Sequence, residues 1–381
     1  MMESKSNNKD LNVIAEQIFT RIVDSGKNID ALTNYLEEDK DYNIGDKPQK
    51  NKFIDPITVN YINYYTNYIK RICFEYKNIS FDIKIYTKNY EDLSNYIHLI
   101  KLGIICCLLD KKEFKEKISL KIDLYLTTLK KCLPQVPGAQ IKKEHSKTGY
   151  SIFNDNIYIC IYRKEEWFKS LIQELFFAFT MDLDGDKIMY KNIMFNNFYI
   201  NDTFQINNSI IEFCARIFNL SAFLYFGKNI KSLPQFKRIF KKTMNNETMF
   251  SVSQSHKILG HFGLKYKEIL YDLQDEKNSS KSSSRERYKD ESGVFCDFLL
   301  PSLLFIHQTR IIQWINFTQN TFFNIKKTER ELVIFTHYIS HCSKDVKTLG
   351  AFKIIEENQI KESQFSNKYL SKNIKFCYYR I

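Results

Sequence analysis

Residues 159–179 read Ile-Cys-Ile-Tyr-Arg-Lys-Glu-Glu-Trp-Phe-Lys-Ser-Leu-Ile-Gln-Glu-Leu-Phe-Phe-Ala-Phe. The first residues close an alternation over Ile152–Arg163, in which Ile157, Ile159 and Ile161 face one way and Tyr158, Cys160 and Tyr162 the other. A strand apolar on both faces belongs inside a sheet covered on both sides. The charges Arg163, Lys164, Glu165 and Glu166 then make a corner. Beyond them Trp167, Phe168, Leu171, Ile172, Leu175, Phe176 and Phe179 cover nearly the whole circumference of a helix predicted over 164–181. A helix apolar all round is a central one.

Upstream, Phe81–Tyr86 and Ser119–Leu129 alternate as strands, Asp92–Leu109 has helical periodicity, and Pro134, Pro137 and Gly138 mark a turn before a further strand expected at Gln140–His145. Apolar residues at helical spacing predict helices at 11–24 and 28–37, followed by a polar linker. Downstream, helices are expected at Ser209–Phe226, Gln235–Lys242, Val252–Leu259 and near Lys265–Leu270, and a strand at Ile374–Tyr379. The Ser/Lys/Glu/Arg-rich run Gln274–Glu291 reads as a disordered loop, and Val294–Phe317 as a second apolar block. The expected organisation is α+β. It comprises an N-terminal helical arm (1–38), a linker (39–52) and a core (53–272) made of a sheet (53–163), the motif helix (164–181) and a helical part (205–272). A loop (273–292) and a mainly helical C-terminal part (293–381) complete it.

The 381 residues are 44% hydrophobic and 26% charged, a globular balance. The net charge of +12 is mostly lysine, with short clusters at Lys142-Lys143, Lys237-Arg238, Lys241-Lys242 and Lys326-Lys327. Arginine, the better residue for bidentate phosphate and base contacts, is sparse. A nucleic-acid partner is therefore a secondary expectation. Nine cysteines, an odd number with no CxxC pair, read as reduced thiols of a cytoplasmic protein rather than a disulfide framework. No signal peptide and no membrane span is expected, since the apolar stretches around 99–109 and 294–306 are short or interrupted by Lys101, Asp297 and Pro301.

The chemistry lies in Gln173-Glu174-Leu175-Phe176-Phe177. In a zincin helix, histidines at i and i+4 bind Zn²⁺ and the glutamate after the first activates the bound water. The surrounding segment resembles the active-site region of a zincin-like (HExxH) metallopeptidase family of large nucleocytoplasmic DNA viruses of the mimivirus and phycodnavirus kind. In that family an Arg-Lys-Glu-Glu-Trp stretch leads into a true His-Glu-x-x-His. The resemblance continues at His145–Gly149, Glu212–Asn219, His256–Tyr266 and Tyr288–Phe295, and spans roughly 119–320.

It implies a zincin-like fold whose metal positions are Gln173, Phe177 and Asn208, with Glu212 four residues beyond the last. An alternative third ligand, after a metzincin-like turn, meets Thr180 where glycine is wanted and Leu183 at the ligand position, with Asp182 one residue short. Amides are poor zinc ligands and phenylalanine is none. The expected protein is thus an inactive pseudopeptidase with no cofactor and no metal. It would act through a protein or peptide partner, in a host cytoplasm or a virion. A virion-associated structural or nucleic-acid-binding protein, or a zinc peptidase with unusual ligands, are the alternatives. Glu174 itself admits a structural role, paired with Arg163, Arg216 or a lysine. His337 and His341, at i and i+4 beside Cys342, and His256 with His261 suit packing better than a metal. Asp182-Leu-Asp-Gly-Asp186 departs from a calcium loop.

Overall fold

The computed structural model describes residues 2–29, 32, 36–41, 54–183, 192–194, 197–198, 200–201, 206–270, 288–289, 293–316, 322–365, 375 and 377–379. In chain order the first half builds α1 (Met2–Ile29), β1 (Leu36–Asp41), α2 (Pro56–Tyr65), β2 (Tyr68–Tyr76), β3 (Ile79–Thr87), α3 (Ser94–Leu108), β4 (Ile118–Tyr125), the single turn α4 (Lys143–Ser146), β5 (Gly149–Phe153), β6 (Asn156–Ile161) and α5 (Trp167–Phe179). The second half holds β7 (Met181–Leu183), β8 (Ile200–Asn201), α6 (Ile206–Ala222) with a π-helical extension Phe223–Gly227, α7 (Leu233–His261), β9 (Tyr288–Lys289), α8 (Val294–Ile306), α9 (Gln308–Asn316), β10 (Ile325–Lys327), α10 (Glu329–Cys342) and α11 (Val346–Phe365). The protein is α+β.

Its six-stranded sheet runs β1-β2-β3-β4-β6-β5. Strands β3, β4 and β6 are parallel neighbours, while β5 closes one edge antiparallel to β6. On one face Phe81, Ile83, Ile122, Leu124, Ile159 and Ile161 join the large core with α1, α3 and α5. On the other, Tyr86, Tyr125, Cys160 and Tyr162 pack with Ile54, Val59 and Ile62 of the α2 region. The two-sided apolarity of 157–162 is therefore matched by cover on both sides. Helix α5 is the buried central helix expected, with Trp167, Phe168, Leu171, Ile172, Leu175 and Phe176 all shielded.

Several expectations are corrected. The helix expected over 28–37 is absent: α1 ends at Ile29 and Leu36–Asp41 is the edge strand β1. Its acidic residues meet the basic side of β2, with Glu37 on Lys70 at 2.8 Å and Glu38 beside Arg71 at 3.8 Å, and cross-strand charge pairing outweighs local helical spacing. Helix α1 packs on the core, with Ile14, Ala15, Ile18 and Ile22 fully buried in it. The strand expected at Gln140–His145 is instead the turn α4, closed by Lys142 N donating to His145 Nδ1 at 2.9 Å. The strand lies later, at β5.

The helices expected at Gln235–Lys242 and Val252–Leu259 are one, α7, because its polar middle is buried through Glu247. The second apolar block is two helices, α8 and α9. Among the described residues of the tail, 375 and 377–379 form no strand. The Gln274–Glu291 segment lies outside the described residues except for β9, which pairs with β8; residues 184–186 of the calcium-loop comparison also lie outside. Cys73, Cys106, Cys107, Cys132, Cys160, Cys214, Cys342 and Cys377 are free thiols, all buried except Cys132.

One helix among the described residues, Ile206–Gly227, is long and apolar enough to cross a membrane. It was not among the apolar stretches picked out by sequence, because Glu212, Arg216 and Asn219 interrupt it. Most of it is buried inside the fold, as a core helix is.

Gly149 starts the edge strand at a point of close approach. A Cβ there would lie 2.4 Å from the Cys160 carbonyl oxygen and 3.2 Å from the Ile161 Cα. Backbone cannot yield as a side-chain tip can, so Gly149→Ala is expected to lower stability by about 1–3 kcal/mol. Urea denaturation measures this, and hydrogen exchange should locate the loosened pairing at β5–β6.

Candidate functional site

The corner between β6 and α5 is built from its own charges. Arg163 is almost fully buried, and its guanidinium donates to three main-chain carbonyls, those of Lys147 (2.8 Å), Lys130 and Glu144. Glu166 adopts the left-handed conformation (φ 62°) that ends the corner. Its carboxylate pairs with buried Lys131 and accepts from Cys377 N at 2.8 Å. Glu165 lies 3.5 Å from Lys130 Nζ. The Arg-Lys-Glu-Glu run thus anchors 130–131, 144–147 and the C-terminal tail around the start of α5.

Next to this corner lies a cleft of about 190 Å³, bounded by Lys147, Thr148 and Gly149 at the head of β5, by α5, by α6, and by Asp297 and Pro301 of α8. Helical spacing sets one stripe on α5: Lys169, Gln173 and Phe177 follow at i, i+4 and i+8, with Glu174 beside them. A second stripe on α6, Asn208 and Glu212, faces it. All five positions expected at the site, Gln173, Glu174, Phe177, Asn208 and Glu212, line this one cleft. Asp182 and Leu183, the alternative ligand region, belong to β7, which pairs with β10 outside the lining of the cleft.

Of the partners expected for Glu174, the two arginines are corrected, while lysines do act on it. Arg163 is committed to main-chain carbonyls, and Arg216 holds Glu247 through Nε (2.9 Å) and Nη2 (2.7 Å). Glu174 instead accepts from the Ser151 hydroxyl of β5, with Lys169 and Lys147 as its nearest cations. Burial pushes its carboxyl above the ordinary glutamate range, and the Ser151 bond and the two lysines offset part of that.

Lys169 was not foreseen. Its ammonium is 2.9 Å from Glu212 Oε2 and 3.2 Å from Gln173 Oε1, so a lysine side chain sits among the positions that the resemblance implies for metal ligands. A lysine four residues before Gln173, on an otherwise apolar helix, was the available signal. Lys147 pairs with Asp297 across the mouth; burial opposes its charge, but Asp297 raises its pKa overall.

Two buried atoms of the lining, Glu212 Oε1 and Thr148 Oγ1, have no hydrogen-bond partner among the described residues. A polar group left unpaired in this way costs about 1–3 kcal/mol, and in a cleft it is a place for a ligand. The rim adds further groups. Tyr162 N donates to Thr148 O at 2.9 Å, which makes Thr148–Tyr162 a bonded pair of the β5–β6 ladder. Bonded pairs alternate in an antiparallel ladder, so the main-chain N–H and C=O of Gly149, Ser151 and Phe153 point to the outer edge. The other histidines stand apart: His337 and His341 are exposed, and His261 Nε2 contacts Ala139 O at 2.8 Å.

The buried Lys169–Glu212 pair leads to a measurable coupling. Lys169→Met strips the shielded Glu212 of its ion-pair partner and should destabilise by about 3–5 kcal/mol. Glu212→Leu added to it should restore much of that loss in a double-mutant cycle followed by urea denaturation. For Glu174, ¹³C titration of its side-chain carboxyl should give a pKa above the usual glutamate value. Ser151→Ala should move it further up, because the hydroxyl favours the ionised form.

Compared with known protein families, curated proteins and solved structures, the chain has no match in any of the three.

Proposed function

We propose that the protein is a zincin-like pseudopeptidase that binds an extended peptide along β5, over the cleft, and does not hydrolyse it. The observation that carries this reading is convergence. Five positions named from a degenerate His-Glu-x-x-His pattern, taken from two helices, line one cleft beside a sheet edge. In zincins the substrate lies extended along an edge strand next to the active-site helix, held by main-chain hydrogen bonds. Such β-augmentation needs only backbone groups from the protein, and Gly149, Ser151 and Phe153 present them. The unpaired Glu212 Oε1 adds an acceptor for an N–H group of the peptide.

The same residues argue against hydrolysis. Gln173, Phe177 and Asn208 do not make a zinc ligand set. The Lys169 ammonium already neutralises Glu212 and repels a second cation. A bound metal would lower the pKa of the attacking water toward neutrality, and Glu174 alone cannot deprotonate water usefully.

Selection from a random decapeptide display library tests the reading. Peptides should be enriched whose binding is abolished by N-methylation at alternate residues. Binding should also fall with Ser151→Pro, which removes an outward N–H that the ladder does not use, and such a proline is tolerated on an edge. Selected peptides should remain intact with or without added zinc. Failure to enrich any peptide, or binding indifferent to both changes, would sink the proposal. Binding only to random DNA, falling steeply with salt, would transfer the function to nucleic acid.

A further inference from the structure

A second constellation lies far along the chain from the cleft, where three helix junctions meet. His307 immediately follows α8, Cys342 is the last residue of α10, and Asp345 immediately precedes α11. Their ligand atoms all lie within 4.8 Å of one another, the one such group of three metal-type donors among the described residues. His307 and Cys342 are buried and Asp345 is half-buried. His307 Nε2 faces Asp345 Oδ2 at 3.5 Å and Thr348 Oγ1 at 2.9 Å.

We infer that His307, Cys342 and Asp345 form a three-ligand metal site, its fourth position left to water, for Zn²⁺ or a similar borderline-soft divalent cation. Imidazole, thiolate and carboxylate are all zinc ligands, and a thiolate with an imidazole selects against Mg²⁺ and Ca²⁺. Zinc bonds of ~2.0–2.3 Å at tetrahedral angles place donors roughly 3.3–3.8 Å apart, so shifts of about 1 Å close the set. Charge agrees as well, since one thiolate and one carboxylate neutralise the ion.

The helix termini add to this. Both α8 and α10 turn their negative C-terminal ends toward the cluster, which favours a cation. The opposing N-terminus of α11 is already capped, with Asp345 Oδ1 accepting from Thr348 N at 2.8 Å and leaving Oδ2 toward His307. Two side-chain cations, Arg310 and Lys347, also face Cys342. Burial raises the pKa of the Cys342 thiol; the two cations oppose the metal's charge but offset part of that rise. Lys347 is in addition held on the Ile306 carbonyl. Cys342 thus belongs not with His337 and His341, its neighbours in sequence, which are exposed on the far side of α10, but with a histidine from another helix.

Titration of the chelator-stripped full chain with Co²⁺ and then Zn²⁺ tests the assignment. One Co²⁺ per chain should bind with a thiolate-to-cobalt charge-transfer band, and Zn²⁺ should displace it. The band should vanish in Cys342→Ser, and affinity should fall at least roughly tenfold in Asp345→Asn, which keeps the helix cap. No cysteine is among the described residues that line the cleft, and loss of the band in Cys342→Ser distinguishes this site from a metal held in the cleft. The outcome is therefore independent of the peptide-binding proposal. No uptake, uptake without a thiolate band in the parent, or a band that survives in folded Cys342→Ser would each overturn the assignment.

Discussion

The rest of the structure hangs on the buried guanidinium of Arg163. Removing an arginine from water costs several kcal/mol unless its donors are met, and here three carbonyls from two separate loop segments meet them. The contact works in both directions. It makes burial of the charge tolerable, and it ties residues 130, 144 and 147 to the end of β6. Since β5 starts two residues after Lys147, the position of the sheet edge relative to α5 follows from this clamp. The adjoining Lys131–Glu166 pair extends it to the tail through Cys377 N. A corner that looks in sequence like four solvated charges is therefore a buried joint.

The cleft next to the joint is polar for a related reason. Helices α5 and α6 are both apolar enough to be central, yet each carries charges on the side facing the other. Lys169 and Glu212 answer one another, and deeper along α6 Arg216 and Glu247 do the same, with Tyr378 N donating to Glu247 Oε2 at 3.1 Å. These pairs explain how a helix with the length and apolarity of a membrane span is kept in a core: its polar residues require partners that lipid does not supply. They also explain why α7 runs unbroken through a stretch that sequence periodicity divides in two. In the cleft itself a covalently attached ammonium stands among positions suited by spacing to metal ligands, while Glu212 Oε1 and Thr148 Oγ1 remain to be met from outside.

Much of this was legible in the sequence. The alternation at 157–162 and the full apolar circumference of 167–179 located the central strand and helix, because side-chain period reports directly on burial. The resemblance around Gln173, Glu174 and Phe177, with the positions it implies at Asn208 and Glu212, named five positions that line one cleft. The edge strands were not legible. Leu36–Asp41 is nearly all charge, and Gly149–Phe153 is short and begins with glycine; each is a strand because of what it pairs with.

What the chain decided by itself were the periodic elements and the α+β order, since those depend on local spacing and on how much apolar surface a segment must hide. Partnership was decided only in three dimensions. Glu174 turned to Ser151 rather than to an arginine, Lys169 entered the ligand positions, and Cys342 turned from the histidines on its own helix to His307 and Asp345. A local pattern states that a charge or a thiol needs a partner. Which partner it meets depends on contacts between residues distant in sequence, and those exist only once the helices and the sheet edge are brought together.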